Sequence, residues 1–435
     1  MLQAFRYRND VLHAEGVSLS EVARDIGTPF YCYSTASIEH QYQQFSQSFT
    51  GNRVKICYSI KANSNLSVLG TFARLGAGAD VVSGGELKRA LTSGIQGSDV
   101  VFSGVGKTGD EMVDALEAGI MQFNVESEQE LAQLAEIAKT RGVTAPVALR
   151  INPNVDAGTH DKITTGRVWD KFGIPWPEAR DIYRLASNMP GLEMCGIAIH
   201  IGSQLTNLEP LEIAFRDVAD AVSSLRDDGH NIKRVDLGGG LGIPYHFDPL
   251  TLEALDSSPS VESYAALISK ATDNLDCDII LEPGRFLVGN AGVLISKVTL
   301  LKESRGRLFA VIDAAMNDLM RPALYGAFHE IVPVVSSSAE PEYLDVVGPI
   351  CESSDVLAKG RRMARPDPGS LLAILSVGAY GAVMASSYNG RPIIPEVLVH
   401  NEEYSVVRPR SPIDEAMSIE TLPPWLERSF ELDTM

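Results

Sequence analysis

Residues 54–63 read VKICYSIKAN, a short run of β-branched and aromatic residues that stops at a lysine. The same texture returns in ADVVS (79–83), VVFSG (100–104), MQFNVES (121–127), PVALRINP (146–153), CGIAIHIGS (195–203), RVDLGGG (234–240) and DIILEPG (278–284). Segments of helical period separate these runs. In SEQELAQLAEIAKTRG (127–142), Ser127 and Glu130 have capping-box spacing and Gly142 follows the last turn. In LEPLEIAFRDVADAVSSLRDDG (208–229), apolar residues recur three and four apart and the outer side is acidic. Strands alternating with helices are the pattern of parallel βαβ units, and about eight such strands close a β/α barrel.

After about residue 290 the texture changes. GVLISKVTLLK, RLFAVIDAA, EYLDVVGPI, LLAILSVGA and EVLVHNEEYSVV read as strands with little helical periodicity between them. The fold class expected is therefore a (β/α)8 TIM-like barrel followed by a β-rich, sandwich- or barrel-like second domain, divided as 31–284 and 285–435. The first 30 residues hold one helical pattern, SLSEVARDIG, and pack either on the second domain or elsewhere; TPFYCYS reads equally as a strand entering the barrel or as part of the other domain.

Composition narrows the function. A net charge of −19 disfavours nucleic acid and anionic membranes as partners, while a small zwitterion remains compatible. No apolar run approaches the roughly 18 residues of a membrane helix, and the N-terminus has no signal-like apolar core. The five cysteines, Cys32, Cys57, Cys195, Cys277 and Cys351, lack CxxC spacing, so neither a disulfide framework nor a metal site is indicated and a cytoplasmic enzyme is expected.

Chemistry-bearing residues gather at the ends of the barrel strands, on the rim where barrel active sites are built. Lys61 closes the first strand and on its own reads as a solvated surface lysine. Its company changes that reading: GADVVSGGEL (78–87), HIGSQ (200–204), DLGGGLGI (236–243) and EPGR (282–285) share the rim. Glycines at the end of strand seven let backbone amides approach a phosphate. Arg285 and Arg321 offer forks that fit carboxylates.

Together with INPNVDAGTHDKITTG and KFGI (151–174), NDLMRPALY (317–325), GPICESSD (348–355) and GAYG (378–381), these motifs resemble the alanine-racemase-like, fold-type III pyridoxal phosphate (PLP) decarboxylases, and within them the diaminopimelate decarboxylase branch. The resemblance spans nearly the whole chain. It implies decarboxylation of meso-2,6-diaminopimelate to L-lysine and CO2, with Lys61 joined covalently to PLP. It also implies a site in which Glu282 faces the pyridine nitrogen and His200 lies against the ring. Asp80, Ser203, Gly239, Gly240, Gly284, Arg285 and Tyr380 surround the cofactor in this reading; Arg285, Arg321, Tyr325, Tyr380 and Glu352 bind substrate. Cys351 is implied as the proton donor to carbon, reaching with Glu352 into the partner's site in a homodimer with shared active sites. Arg150 either lines the site or forms a structural salt bridge.

Other readings stay open at this stage. Ornithine, arginine and carboxynorspermidine decarboxylases share the lysine, glycine loop and EPGR-like motifs, as do relatives acting on carrier-bound substrates. Arg321 with Glu352 favours diaminopimelate, whose distal end carries both a carboxylate and an amine. A non-catalytic PLP-binding regulatory protein and a racemase are the remaining rivals. Cys351 and Glu352 weigh against the first, and the racemase needs a second acid/base, typically a partner tyrosine, where this sequence has the cysteine motif.

Overall fold

The computed structural model describes residues 4–49, 53–156, 158, 165–166 and 169–426. Of the stretch 151–174 quoted above, residues 157, 159–164, 167 and 168 lie outside the described residues.

Eight parallel strands close a barrel: β1 (Val54–Ser59), β2 (Gly78–Val81), β3 (Val100–Phe102), β4 (Gln122–Val125), β5 (Ala145–Asn152), β6 (Leu192–Ala198), β7 (Arg234–Asp236) and β8 (Asp278–Leu281). Each pairs with its neighbour in chain order, and β8 returns to β1 through Ile279↔Val54 and Leu281↔Ile56. A two-residue strand, Ile174–Pro175, adds to β5.

The outer helices bury the faces their periodicity marks. Glu209–Asp227 buries Leu211, Ala214, Phe215, Val218, Ala221, Val222 and Leu225 at three- and four-residue spacing. Glu128–Arg141 starts on Ser127, whose Oγ accepts from Glu130 N, and stops at Gly142 with φ 67°. The reciprocal half of the expected capping box is not formed. Glu130 instead accepts from the buried Lys107 Nζ (2.7 Å) and from Glu126 N (2.9 Å), because a buried ammonium claims a carboxylate more strongly than a helix-end amide does.

The remaining strands build a nine-stranded mixed sheet. Its path runs through Val356–Ala364, Pro341–Val347, Arg307–Ile312, Gly292–Ser304, Phe30–Ser34, Glu396–His400 and Glu403–Arg408, with Leu371–Ile374 and Ile331–Pro333 alongside. TPFYCYS is thus a strand of this sheet, antiparallel to Gly292–Ser304 and parallel to Glu396–His400. Its alternation joins two cores. Tyr31 and Tyr33 point into the cluster continuous with the barrel, while Phe30 and Cys32 point into a second cluster with Val293, Ile295 and Val397. Three short strands, Phe5–Arg8, Val11–Ala14 and Val17–Ser18, cover that second cluster through Phe5, Leu12 and Val17, and Leu12 N donates to Val334 O (2.7 Å). Among the described residues no helix is long and apolar enough to cross a membrane.

Candidate active site

Beyond β1 the chain makes one tight turn, Ile60–Ala62, with Lys61 at its centre. Lys61 Nζ lies 2.9 Å from Asp80 Oδ2 on β2, and Ser59 Oγ donates to the same oxygen at 2.6 Å. Burial alone would lower the Lys61 pKa, but the ionised Asp80 carboxylate beside it outweighs burial and holds the amine well above its ordinary value. Asp80 is the converse case. Burial would raise it, yet the Lys61 ammonium and the Ser59 and Lys61 hydrogen bonds keep it ionised and below its usual range. Its second oxygen, Oδ1, is buried and has no hydrogen-bond partner among the described residues.

Opposite the lysine lies a nest of buried polar groups from four strand ends. Asn124 Nδ2 reaches Asp236 Oδ2 (2.7 Å), Ser103 Oγ (3.0 Å) and Glu282 Oε1 (3.4 Å), and Gln122 Nε2 fixes Asn124 Oδ1 at 2.9 Å. Ser103 Oγ also donates to Glu282 Oε1 at 3.3 Å. Two carboxyls in one desolvated pocket cannot both ionise. Burial, with Asp236 and Asp80 beside it, drives the Glu282 pKa far above the carboxylate range, so this residue holds its proton.

The glycine loop is set by close packing. A Cβ on Gly239 would lie 2.1 Å from Glu282 O, and Gly240 has φ 117° with Gly202 O 2.6 Å from its would-be Cβ. Gly239 N donates to His200 Nδ1 at 3.2 Å, so the neutral ring carries its hydrogen on Nε2. Burial, then the Lys61 and Arg150 cations, lower the His200 pKa to about 3. Gly284 packs against Ser59 and Ala62 and ties EPGR to the lysine turn.

The second domain completes the mouth. Tyr380 N donates to Ala62 O (2.8 Å) and Asn63 Nδ2 to Gly378 O (3.1 Å), so GAYG is stitched to YSIKAN. Tyr380 adopts φ 57°, an unfavourable backbone for a bulky residue, and its ring lies 4.8 Å from the Arg285 guanidinium. Arg285 donates to Ser203 Oγ (3.0 Å) and Tyr245 OH (2.6 Å). Arg321 stacks over the Tyr245 ring at 5.0 Å. Both arginines are buried, and among the described residues neither meets a carboxylate at salt-bridge distance. Two adjoining cavities of about 440 and 370 Å³ share Lys61, Thr165 and His200; the first reaches Ser203, Arg285, Arg321, Tyr325 and Tyr380, and the second Ser103, Asn124 and Glu282.

Arg150 lines the smaller cavity and is also paired, its Nη1 lying 2.9 Å from Glu126 Oε1, so both readings of it hold at once. Cys351 and Glu352 are not brought to either cavity. Cys351 is the one exposed cysteine of the five, and Glu352 accepts from Tyr388 OH (2.5 Å) and Ser354 Oγ (2.9 Å) at the surface. Sequence reasoning did not single out Ser103, Asn124, Asp236, Tyr245 or His329. Only Asp236 carried a signal, its place beside the glycine run; the others matter through contacts that no motif spells out.

This donor set suits pyridoxal phosphate: a rim lysine, a proton-bearing carboxyl across from it, a flat neutral imidazole and a loop that excludes any Cβ. A family model described as pyridoxal-dependent decarboxylase, pyridoxal binding domain, matches residues 35–289. The diaminopimelate decarboxylase of Pseudomonas aeruginosa is 47% identical over 97% of this chain and 100% of its own length. That of Zymomonas mobilis is 44% identical over 97% and 99%. Among solved structures, diaminopimelate decarboxylase from Helicobacter pylori complexed with L-lysine matches with a TM-score of 0.88 at 40% identity, covering 92% of this chain and 98% of that one. The enzyme from M. jannaschii in co-complex with L-lysine matches with a TM-score of 0.92 at 38% identity, covering 97% and 99%.

Proposed function

The chain belongs to the pyridoxal-dependent decarboxylases, among the diaminopimelate decarboxylases, and we propose that it converts meso-2,6-diaminopimelate to L-lysine and CO2, the closing reaction of lysine biosynthesis. The observation that carries the assignment of residues is the pair of adjoining cavities that share Lys61, one reaching Glu282 and the other two buried arginines that, among the described residues, meet no carboxylate. Bound PLP supplies the electron sink for the pair released as CO2 leaves, which side chains alone delocalise poorly.

Lys61 Nζ is the group that would hold the cofactor covalently. Its salt bridge to Asp80 aims the amine, and the proton must leave before the nitrogen can attack. Glu282, its carboxyl pushed far above the carboxylate range by burial, would face the ring nitrogen and could share its proton with it. His200, neutral and anchored by Gly239 N, offers a flat face without adding charge. Gly239, Gly240, Gly284 and Ser203, with Tyr380, form the phosphate cradle.

Arg321 and Tyr325 take the substrate's distal carboxylate, and Arg285 borders both cofactor and substrate. The bond that breaks joins the D-configured carbon to its carboxylate, and the carbon then needs a proton. Cys351 supplies it and Glu352 binds the distal amine, both from the partner subunit of a homodimer. All five cysteines are free, and a thiol proton donor needs a reducing compartment, so the cytoplasm is the expected location.

Release of CO2 from meso-diaminopimelate, compared side by side with ornithine and arginine, tests the substrate. Preference for either of the latter would overturn it. Borohydride treatment of the PLP-loaded protein should label Lys61 and leave Lys61→Ala unlabelled; label elsewhere would remove the lysine from its role.

A further inference from the structure

His329 is wholly buried and takes no part in the chemistry above. The helix Arg321–Tyr325 ends at Gly326 with φ 60°, and the chain turns back so that His329 lies beside the first residue of that helix. Its Nδ1 is 2.9 Å from Leu375 O and its Nε2 is 2.8 Å from Arg321 Nη1. A carbonyl oxygen only accepts, so Nδ1 carries the hydrogen. A guanidinium only donates, so Nε2 must be bare. The two partners therefore fix both the charge and the tautomer of the ring. Arg321, Arg285 and Arg361 all face it, which further disfavours a second proton.

The consequence falls on Arg321. One of its N–H groups is held by the imidazole and its plane is held over the Tyr245 ring, 5.0 Å away. Tyr245 is in turn clamped by Arg285 through its hydroxyl and packs edge-on against His329, with centroids 5.4 Å apart. A long side chain that would otherwise sample many rotamers is left with one, its free edge lining the larger cavity.

We propose that His329 is a positioning residue for substrate selection: a neutral imidazole of fixed tautomer that tethers Arg321 so that its remaining fork meets the carboxylate that survives in the product. This rests on the reading of Arg321 given above.

The test uses the PLP-loaded protein and two probes, L-lysine, which keeps that carboxylate, and 1,5-diaminopentane, which has none, with binding followed by calorimetry. His329→Asn keeps a donor towards Leu375 O and removes the acceptor from Arg321. It should weaken L-lysine by about tenfold or more and leave 1,5-diaminopentane unchanged, since hydrogen bonds to charged groups contribute about 1.5–3 kcal/mol. His329→Gln returns an acceptor near the Nε2 position and should recover most of the discrimination. Native discrimination in His329→Asn, or equal weakening of both probes, overturns the proposal. Arg321→Ala is the control: if it leaves the preference for L-lysine intact, the reading of Arg321 falls, whereas loss of preference there but not in His329→Asn removes only the histidine.

Discussion

Single side chains in this site are tuned by where they are buried, and pH reads that tuning directly. His200 and His329 keep their pKa at about 3 in the folded chain, burial being the larger cause in each and neighbouring cations the next. An unfolded histidine titrates near about 6.5. As pH falls below that value the unfolded chain gains protons that the folded chain refuses, so stability is full above about 6.5 and declines down to about 3. For the wholly buried His329 the loss between pH 6.5 and 5 is about 2 kcal/mol. His329→Gln should flatten the decline over that interval by a similar amount, measured by urea unfolding at each pH; an unchanged slope would mean the ring is protonated in the fold. Glu282 was legible in EPGR, because a carboxylate after a barrel strand next to Pro-Gly is a motif. The proton it carries was not, since that depends on burial and on Asp236 and Asp80, which stand beside it from β7 and β2.

Elements place these groups, and how clearly each element shows in the sequence follows from its surroundings. The barrel strands are legible because each is an apolar run closed by glycine, proline or a polar residue at the rim. Phe5–Arg8 and Val11–Ala14 are not, being four-residue strands with mixed character. Val356–Ala364 is hidden for another reason: it is the edge of its sheet, and Lys359, Arg361 and Arg362 interrupt any apolar alternation. FYCYS is buried on both faces, so its period-2 signal vanishes and its sheet cannot be read from pattern. The glycine loop after β7 makes a sharper claim. Gly239→Ala drives a methyl group against the Glu282 carbonyl, a backbone atom that cannot swing aside, and should cost about 1–3 kcal/mol together with a weaker hold on PLP. Gly70→Ala, inside the helix Leu66–Arg74 with open space around it, should be neutral or stabilising by up to about 1 kcal/mol. Thermal melts and PLP titration of the two apoproteins check this; equal behaviour would show that the loop has room the close approach denies.

At the scale of the molecule, the cavities of one chain hold Lys61, Arg285 and Arg321 but not Cys351 or Glu352, to which the proposed reaction assigns its last steps. Cys351 and Glu352 stand exposed on the surface, away from both cavities that contain Lys61. In the two-fold dimer proposed above, an isologous interface would carry each Cys351 to the other chain's barrel mouth. The arrangement can be tested by arithmetic. Lys61→Ala and Cys351→Ala homodimers are each inactive or nearly so, since every site lacks one partner. In a heterodimer, one site draws Lys61 and Cys351 both from variant chains and is doubly defective, while the other draws both from intact ones. Equal mixing with full exchange makes about half the dimers mixed, so about a quarter of all sites are whole and about a quarter of native turnover returns. Mass spectrometry of the intact dimer verifies the exchange. Recovery near that fraction requires Cys351 to act across the interface, whereas no recovery in a verified mixture means that each chain completes its own site with its own Cys351, and the shared-site dimer falls.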